Sequence, residues 1–503
     1  MKTKLFIFIA LFTTLKGLAQ PEIAWQKHYG STLNDYAYAI EQTLDGGYVM
    51  TGYVSGSGGD VTNNQGGRDF WVVKIDAFGN LEWQKALGGS GTEEPFSIHQ
   101  TTDNGYIVAG HTNSIDGDIT ESFGNNDIWV VKLDNLGNIQ WQKSYGDGNH
   151  QRAFSIVQTT DGGYALTGYT YIGGTTESDV IVIKLDAIGN VEWQNTYDYG
   201  NNNLSQDHRA IIQTTDGGYI LAGYTTTAEQ LGLNFTDAWV VKLNATGNIE
   251  WSERYGGSLA EDLLDIQQTS DGGYVMAGYS SSTDGDFTNN NGGEDYWVVK
   301  IDSSGNLQWQ KTLGGTKRDR AFSVRETIDG GYIVAGYTES NDGDITNAQG
   351  SLDGWIVKLD NTGNLQWQKI LGGTQGDYVY AIEQTTDGGY ITIGGTSSDD
   401  SGIGDTFGGY DFWVVKFGPE TLGINNHTIE EFASIIYPNP TSEHINISSD
   451  ILITKIEIFN LLGKQILTTG NQSQLDVSSY QAGIYVIKLY SENQYSIKKI
   501  VIN

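Results

Sequence analysis

"DGGYIVAGYT" occupies residues 329–338, and near-copies stand at 271–280 ("DGGYVMAGYS") and 216–225 ("DGGYILAGYT"). Looser versions bring the total to seven. Each begins with glycines that turn the chain and continues as a short apolar run, which reads as the second strand of a hairpin. Two tryptophan series keep step with the phrase. One sits in "xWQK" and its variants: Trp25, Trp83, Trp141, Trp193, Trp251, Trp309 and Trp367, spaced 58, 58, 52, 58, 58 and 58. The other sits in "WVVK" and its variants: Trp71, Trp129, Trp239, Trp297, Trp355 and Trp413, with Ile181 in the third repeat's slot. Together they hold all 13 tryptophans. A fixed period near 58 residues is architecture first.

Within the sixth repeat, four strand-like segments follow one another: "AFSVRET", "YIVAGYT", "GWIVKLD" and "NLQWQKIL", here strands a, b, c and d. "DGG" joins a to b and "DNTGN" joins c to d. Such short turns force antiparallel neighbours, so each repeat is a four-stranded meander. One meander cannot bury both its faces, whereas a ring of them does. The expected fold is therefore all-β, a seven-bladed β-propeller of four-stranded blades. The chain begins on a d strand ("IAWQKHYG", 23–30) and its last repeat ends on a c strand ("DFWVVKF", 411–417). Pairing of these two would complete the seventh blade and remove an open sheet edge. The repeated tyrosines and tryptophans then read as core packing.

The totals set outer limits. Among 503 residues there is no cysteine, which excludes disulfides and thiolate metal sites. Gly (67) far outnumbers Pro (5), as suits short strands and tight turns. The opening "MKTKLFIFIALFTTLKGLAQ" has basic residues, then an apolar run from Leu5 to Phe12, then small residues. It reads as a signal peptide over 1–19, cleaved after Ala19; the run falls short of the roughly 20 residues that span a bilayer. The net charge of −33 disfavours nucleic acid and anionic lipid and favours cations, basic proteins or neutral glycans. A soluble, monomeric, exported protein without membrane insertion is expected.

After Phe417 the period stops. Residues 418–435 form a polar linker, and 436–503 alternate apolar residues with glycine turns, as a small β-sandwich does. The propeller domain is accordingly placed at 20–417. The tail carries Pro438-Asn439-Pro440, Leu462-Gly463-Lys464, Gly483-Ile484-Tyr485 with Lys488, and a terminal Lys498-Lys499-Ile500-Val501-Ile502. In these residues it closely resembles the type A C-terminal sorting domain of the type IX secretion system. The resemblance implies export through that machinery, removal of the tail, and release or attachment to surface lipopolysaccharide. The repeat is similar in outline to kelch repeats. Its "KLDxxGNxxW" turn resembles the tryptophan-docking repeat of quinoprotein-like propellers, whose quinone-binding residues cannot be placed here. Residues 23–417 as a whole are most similar to the long glycine-rich propeller repeats of secreted Bacteroidota proteins.

No nucleophile elbow, HExxH, P-loop or EF-hand loop is found. Antiparallel order places the b–c and d–a loops on one face and the tight turns on the other. All length variation falls in the first group, so that face is the candidate ligand face. Twelve residues before each turn tyrosine stand Tyr36, Glu94, Arg152, Asp207, Asp262, Arg320 and Tyr378. They are expected to be exposed around the channel mouth, where Arg and Tyr beside carboxylates suit a sugar or a peptide; inter-blade ion pairs are the plainer alternative. Just before them come Asp35, Glu93, Gln151, Gln206, Glu261, Asp319 and Asp377. The b–c loops carry "DGDIT" and "DGDFT", which make Asp116, Asp118, Asp284, Asp286, Asp342 and Asp344 candidate calcium ligands, with turn-capping as the alternative. The leading expectation is a secreted or cell-surface binding protein, an adhesin or glycan or protein binder. A polysaccharide-degrading enzyme with carboxylates at the mouth is the alternative, and a passive coat component the third.

Overall fold

The computed structural model describes residues 20–173, 177–199, 205–227, 235–286, 290–400, 402–404, 406–420, 434–449, 451–460, 465–491 and 495–503. The expected signal peptide, most of the expected linker and the Leu462-Gly463-Lys464 motif lie outside them. The chain divides into two compact units, Met1–Leu422 and Gly423–Asn503.

Unit one contains seven four-stranded antiparallel sheets among the described residues. The sixth runs Asp319–Glu326, Tyr332–Thr338, Asp353–Leu359 and Leu365–Leu371, in that spatial order. The seventh takes strands a to c from Asp377–Gln384, Tyr390–Thr396 and Asp411–Phe417. Its fourth strand is Ile23–Tyr29, which pairs antiparallel with Asp411–Phe417. The innermost a strands contact one another in order around the ring, and the seventh contacts the first.

Three repeated side-chain devices hold this arrangement. The turn aspartate of "DGG" ("DNG" in the second blade) pairs with the buried lysine of strand c in every blade. Lys74–Asp45, Lys132–Asp103, Lys184–Asp161, Lys242–Asp216, Lys300–Asp271, Lys358–Asp329 and Lys416–Asp387 all lie at 2.9–3.0 Å. Each ammonium also donates to a backbone carbonyl next to it, as Lys358 does to Leu359 O at 3.3 Å. A lysine can sit in a sheet core only when its donors are met in this way.

The second device is the strand-c tryptophan, fully buried in Trp71, Trp129, Trp297 and Trp355. Its indole N–H donates to the strand-d glutamine at 2.7–2.9 Å: Trp71 to Gln84, Trp129 to Gln142, Trp297 to Gln310 and Trp355 to Gln368. In the seventh blade Trp413 donates to Gln26 of the N-terminal strand at 3.2 Å.

The third device closes the ring. The last residue of each a strand accepts a hydrogen bond from the a–b turn of the preceding blade. Gln100 accepts from Leu44 N–H, Gln158 from Thr102, Gln213 from Thr160, Gln268 from Thr215, Glu326 from Ser270 and Gln384 from Ile328. The seventh link runs from Thr386 N–H to Gln42, at 2.8 Å. The links return to the first blade after one circuit.

Unit two packs a three-stranded sheet (Ser434–Tyr437, His444–Ser449, Gln474–Asp476) with a four-stranded one (Gln465–Thr469, Lys455–Asn460, Gly483–Tyr490, Tyr495–Ile502). Their inner faces share a core that includes Ile445, Ile456, Ile458, Leu475, Ile487, Leu489 and Ile500. This is the sandwich that the alternating pattern predicts.

Candidate ligand-binding face

The residues expected at the rim lie at the start of the a strands, on the face that bears the b–c and d–a loops. Tyr36 opens its strand, and Glu94, Arg152, Asp207, Asp262, Arg320 and Tyr378 are the second residues of theirs. They are not freely exposed. Asp207, Asp262 and Tyr378 are only 3%, 4% and 7% exposed, and the other four are half-buried. Ring closure turns the side chains of adjacent blades against one another, as Tyr36 lies against Tyr378.

The mouth has two chemically different sectors. Where blade seven meets blade one it is aromatic. Tyr36 stacks on Tyr378 with ring centroids 5.9 Å apart, and it packs on Tyr53 at 5.2 Å and Tyr410 at 5.3 Å. Arg68 pairs with Glu94 and lies 4.5 Å over the Tyr53 ring. On the opposite side, charges dominate. Asp207 pairs with Arg209 at 3.1 Å, and Arg320 pairs with Glu294 while covering Tyr279 at 4.4 Å. Burial pushes the Asp207 carboxyl up to about 6, against the opposing pull of Arg209 and Arg152. Burial likewise pushes Asp262 up to about 7, with Arg209 opposing and Asp207 adding to the rise. Asp262 is thereby part-protonated near neutrality, as a general acid must be, beside a more readily ionised Asp207.

Four rim residues carry a buried polar atom with no hydrogen-bond partner in the protein: Arg152 Nε, Asp207 Oδ1, Asp262 Oδ1 and Tyr378 Oη. Buried polar groups in folded proteins are ordinarily satisfied. The strand-c aspartates Asp69, Asp127, Asp295, Asp353 and Asp411 also carry such an atom, as a repeated feature of the seams. The four at the mouth instead occupy a position whose chemistry changes from blade to blade.

The residues just before the rim are loop holders. Glu93, Glu261, Asp319 and Asp377 are fully buried and accept the N–H of Gly89, Gly257, Gly315 and Gly373 at 2.7–2.9 Å. The "DGD" aspartates latch the same loops from the other side. Asp116, Asp284 and Asp342 accept the N–H of Ser90, Ser258 and Thr316 at 2.7–2.8 Å. Asp118, Asp286 and Asp344 accept the N–H of Gly88, Gly256 and Gly314 at 2.9–3.1 Å. Among the described residues no three His, Cys, Asp or Glu side chains gather as a metal site. The calcium expectation for these six aspartates therefore has no ligand cluster to rest on; their oxygens are used to tie the d–a loop to the b–c loop.

Sequence reasoning missed two groups. Tyr53, Arg68 and Tyr410 belong to the mouth, and their signal is comparative: Tyr410 stands where the other six blades have Arg68, Asn126, Ser178, Thr236, Glu294 and Leu352. The second group lies two residues beyond the rim. Tyr38, Phe96, Phe154, Phe322 and Tyr380 form an aromatic collar below the mouth. Tyr38 packs on Phe96 at 5.1 Å and on Tyr380 at 5.1 Å, Phe96 on Phe154 at 5.0 Å and Phe322 on Tyr380 at 4.7 Å. Arg209 covers Phe154 at 4.2 Å and continues the collar.

Comparison with known proteins bears first on unit two. Residues 435–503 match the family described as the secretion system C-terminal sorting domain. This segment is a type IX sorting domain. The type IX sorting domain ends the chain with Lys498-Lys499-Ile500-Val501-Ile502-Asn503, and it directs the protein to the type IX machinery and out of the cell, to be secreted or held at the outer surface. Part of the chain is also 28% identical over 193 residues to the regulatory protein FlaEY of Caulobacter vibrioides, covering 36% of this chain. The chain spans only 20% of that relative. Among solved structures, an α-L-arabinanase of Penicillium chrysogenum is 9% identical with a TM-score of 0.39, over 79% of this chain and 99% of that one. A β-1,3-galactosidase is 11% identical with a TM-score of 0.33, over 79% and 94%. Likeness at this level carries no argument about what this chain does.

Proposed function

We propose that this exported propeller is a binding protein of the cell exterior that captures its ligand at the loop-bearing mouth. The four unpartnered buried polar atoms of Arg152, Asp207, Asp262 and Tyr378 carry the reading. Buried atoms without a partner also occur at the blade seams, as in Asp69, Asp127, Asp295, Asp353 and Asp411, but these four belong to the residues whose chemistry changes from blade to blade at the mouth. A ligand that enters the mouth supplies the missing hydrogen bonds, each of which is costly to leave unmade. The strong negative charge elsewhere selects against anionic ligands and leaves glycans and basic or neutral proteins. A glycan array probed with the purified protein tests this; absence of binding to any glycan or co-secreted protein ends it.

A second reading, a secreted polysaccharide-degrading enzyme, is favoured by Asp207 and Asp262, whose raised values suit a general acid beside a second carboxyl. A reducing-sugar assay on the glycans bound in the array separates the two. Product release that Asp262→Asn abolishes selects the enzyme, and binding without release selects the binder.

A further inference from the structure

The aromatic sector of the mouth opens into a cavity of about 380 Å³, lined by Thr32, Leu33, Asn34, Tyr36, Tyr53, Ser55, Arg68 and Gly409. This volume falls within the roughly 300–1,000 Å³ of small-molecule sites. Three segments converge on it: the d–a loop entering blade one, the b–c loop of blade one, and the b–c loop of blade seven. They are pinned from behind. Buried Asp35 accepts the N–H of Ser55 at 3.0 Å and the hydroxyl of Ser31 at 3.0 Å. Asn34 accepts the N–H of Tyr410 at 3.0 Å, across the seam between first and last blade. The pocket is thus formed before any ligand arrives, which spares the entropy of ordering it.

Its chemistry is specific in three respects. Half-buried Tyr36 gives apolar ring surface and a hydroxyl, while the Tyr53 ring beside it is covered by Arg68. Arg68 adds a planar donor at one edge, its charge offset by its partner Glu94. Thr32, Asn34 and Ser55 add neutral polar groups. A pyranose ring has the matching surface, with C–H groups on its faces and hydroxyls around its rim. A carboxylated sugar would find the Arg68 charge already offset by Glu94 and would face the −33 net charge, and an aromatic peptide side chain would leave the polar edge unpartnered.

We infer that the seam pocket between blades one and seven takes a single neutral pyranoside ring, packed against Tyr36 and hydrogen-bonded at its edge by Arg68 and Asn34. This rests on the mouth being the ligand site, and it names the ligand class of one sector. The test is saturation-transfer NMR on the full secreted protein with methyl α- and β-pyranosides of glucose, galactose and mannose. Sodium glucuronate and N-acetyltyrosinamide are the comparison probes. Thr32→Trp fills the cavity from an exposed position, Arg68→Met removes the edge donor, and Ile328→Ser on the opposite face is the control. Transfer to at least one neutral glycoside is expected, weakened about tenfold or more by Thr32→Trp and by Arg68→Met and unchanged in Ile328→Ser. Arg68→Met guards against a folding failure in Thr32→Trp, and melting curves identify one. Failure of every neutral glycoside to bind, undiminished transfer in a folded Thr32→Trp protein, or preference for either comparison probe overturns the inference. An array ligand whose binding ignores Thr32→Trp leaves the mouth reading standing and removes this one.

Discussion

Lys358 has no exposed surface, while its partner Asp329 is 44% exposed at the turn. The turn aspartate brings a counter-charge to an ammonium that strand c has already buried. Removing it leaves a buried cation with only neutral acceptors. A fully buried pair broken in this way costs about 3–5 kcal/mol, but water screens Asp329, so Asp329→Ala should cost about 1–2 kcal/mol by urea denaturation. A shift below experimental error would show that the repeated Asp–Lys pair is ornament. Single-residue reading of the sequence reached only half of this. The glycines of "DGG" announce a turn, but nothing in "WVVK" marks its lysine as buried, because alternation alone assigns it to a solvent face. In a propeller both faces of strand c are covered, and the lysine is held by the turn below it.

At the scale of elements, the seams between blades hold carboxyls at close quarters. Asp69 and Glu93 are both fully buried, and a β-carbon on Gly88 would lie 2.5 Å from an oxygen of each. Glycine at 88 is required by that approach. Burial pushes Asp69 up to about 6, and Asp295 and Asp411 up to about 7, with nearby acids adding to each. These groups bind a proton more tightly folded than unfolded. Their contribution is complete below pH ~4 and is lost as pH rises through about 6 to 7. Asp103, Asp161, Asp216 and Asp271 act oppositely: held down to about 2 by turn hydrogen bonds and lysine, they stabilise above pH ~4 and lose this as pH falls towards 2. Stability should therefore peak near pH ~4 and fall as pH rises to about 7. Asp295→Asn should flatten the upper limb by up to about 1.4 kcal/mol per pH unit, read from melting temperatures between pH 4.5 and 8. An unchanged slope would mean that Asp295 is ionised throughout. The spacing of these acids was visible in the sequence, but their facing was not, since it depends on strands from different blades.

For the whole molecule, legibility was greatest where the repeat is strict. The order of strands, the completion of blade seven by Ile23–Tyr29 and the identity of the tail all follow from period and motif. The mouth was legible only as a set of varying positions. That Asp207, Asp262 and Tyr378 would be buried, and that Tyr38 and Phe96 would form a collar beneath them, depends on the radius of the ring, which no single repeat encodes. The N-terminal strand gives a direct test of closure. Deleting residues 20–29 exposes the edge of Asp411–Phe417 and removes the Trp413–Gln26 bond, and should destabilise unit one by at least about 3 kcal/mol. An unaltered melting temperature would contradict a closed ring. Removal of residues 435–503 should leave unit one folded and retained in the periplasm; its efficient arrival in the medium would dissociate export from the sorting domain.

The central claim is that the ligand meets the loop face at the mouth, and amide hydrogen exchange with and without an array-selected ligand tests it most directly. The account predicts protection in the segments that bear Tyr36, Tyr53, Asp207, Asp262 and Tyr378, with the "DGG" and "DxxGN" turns unchanged. Protection confined to those turns, or to the outer d strands, would contradict it.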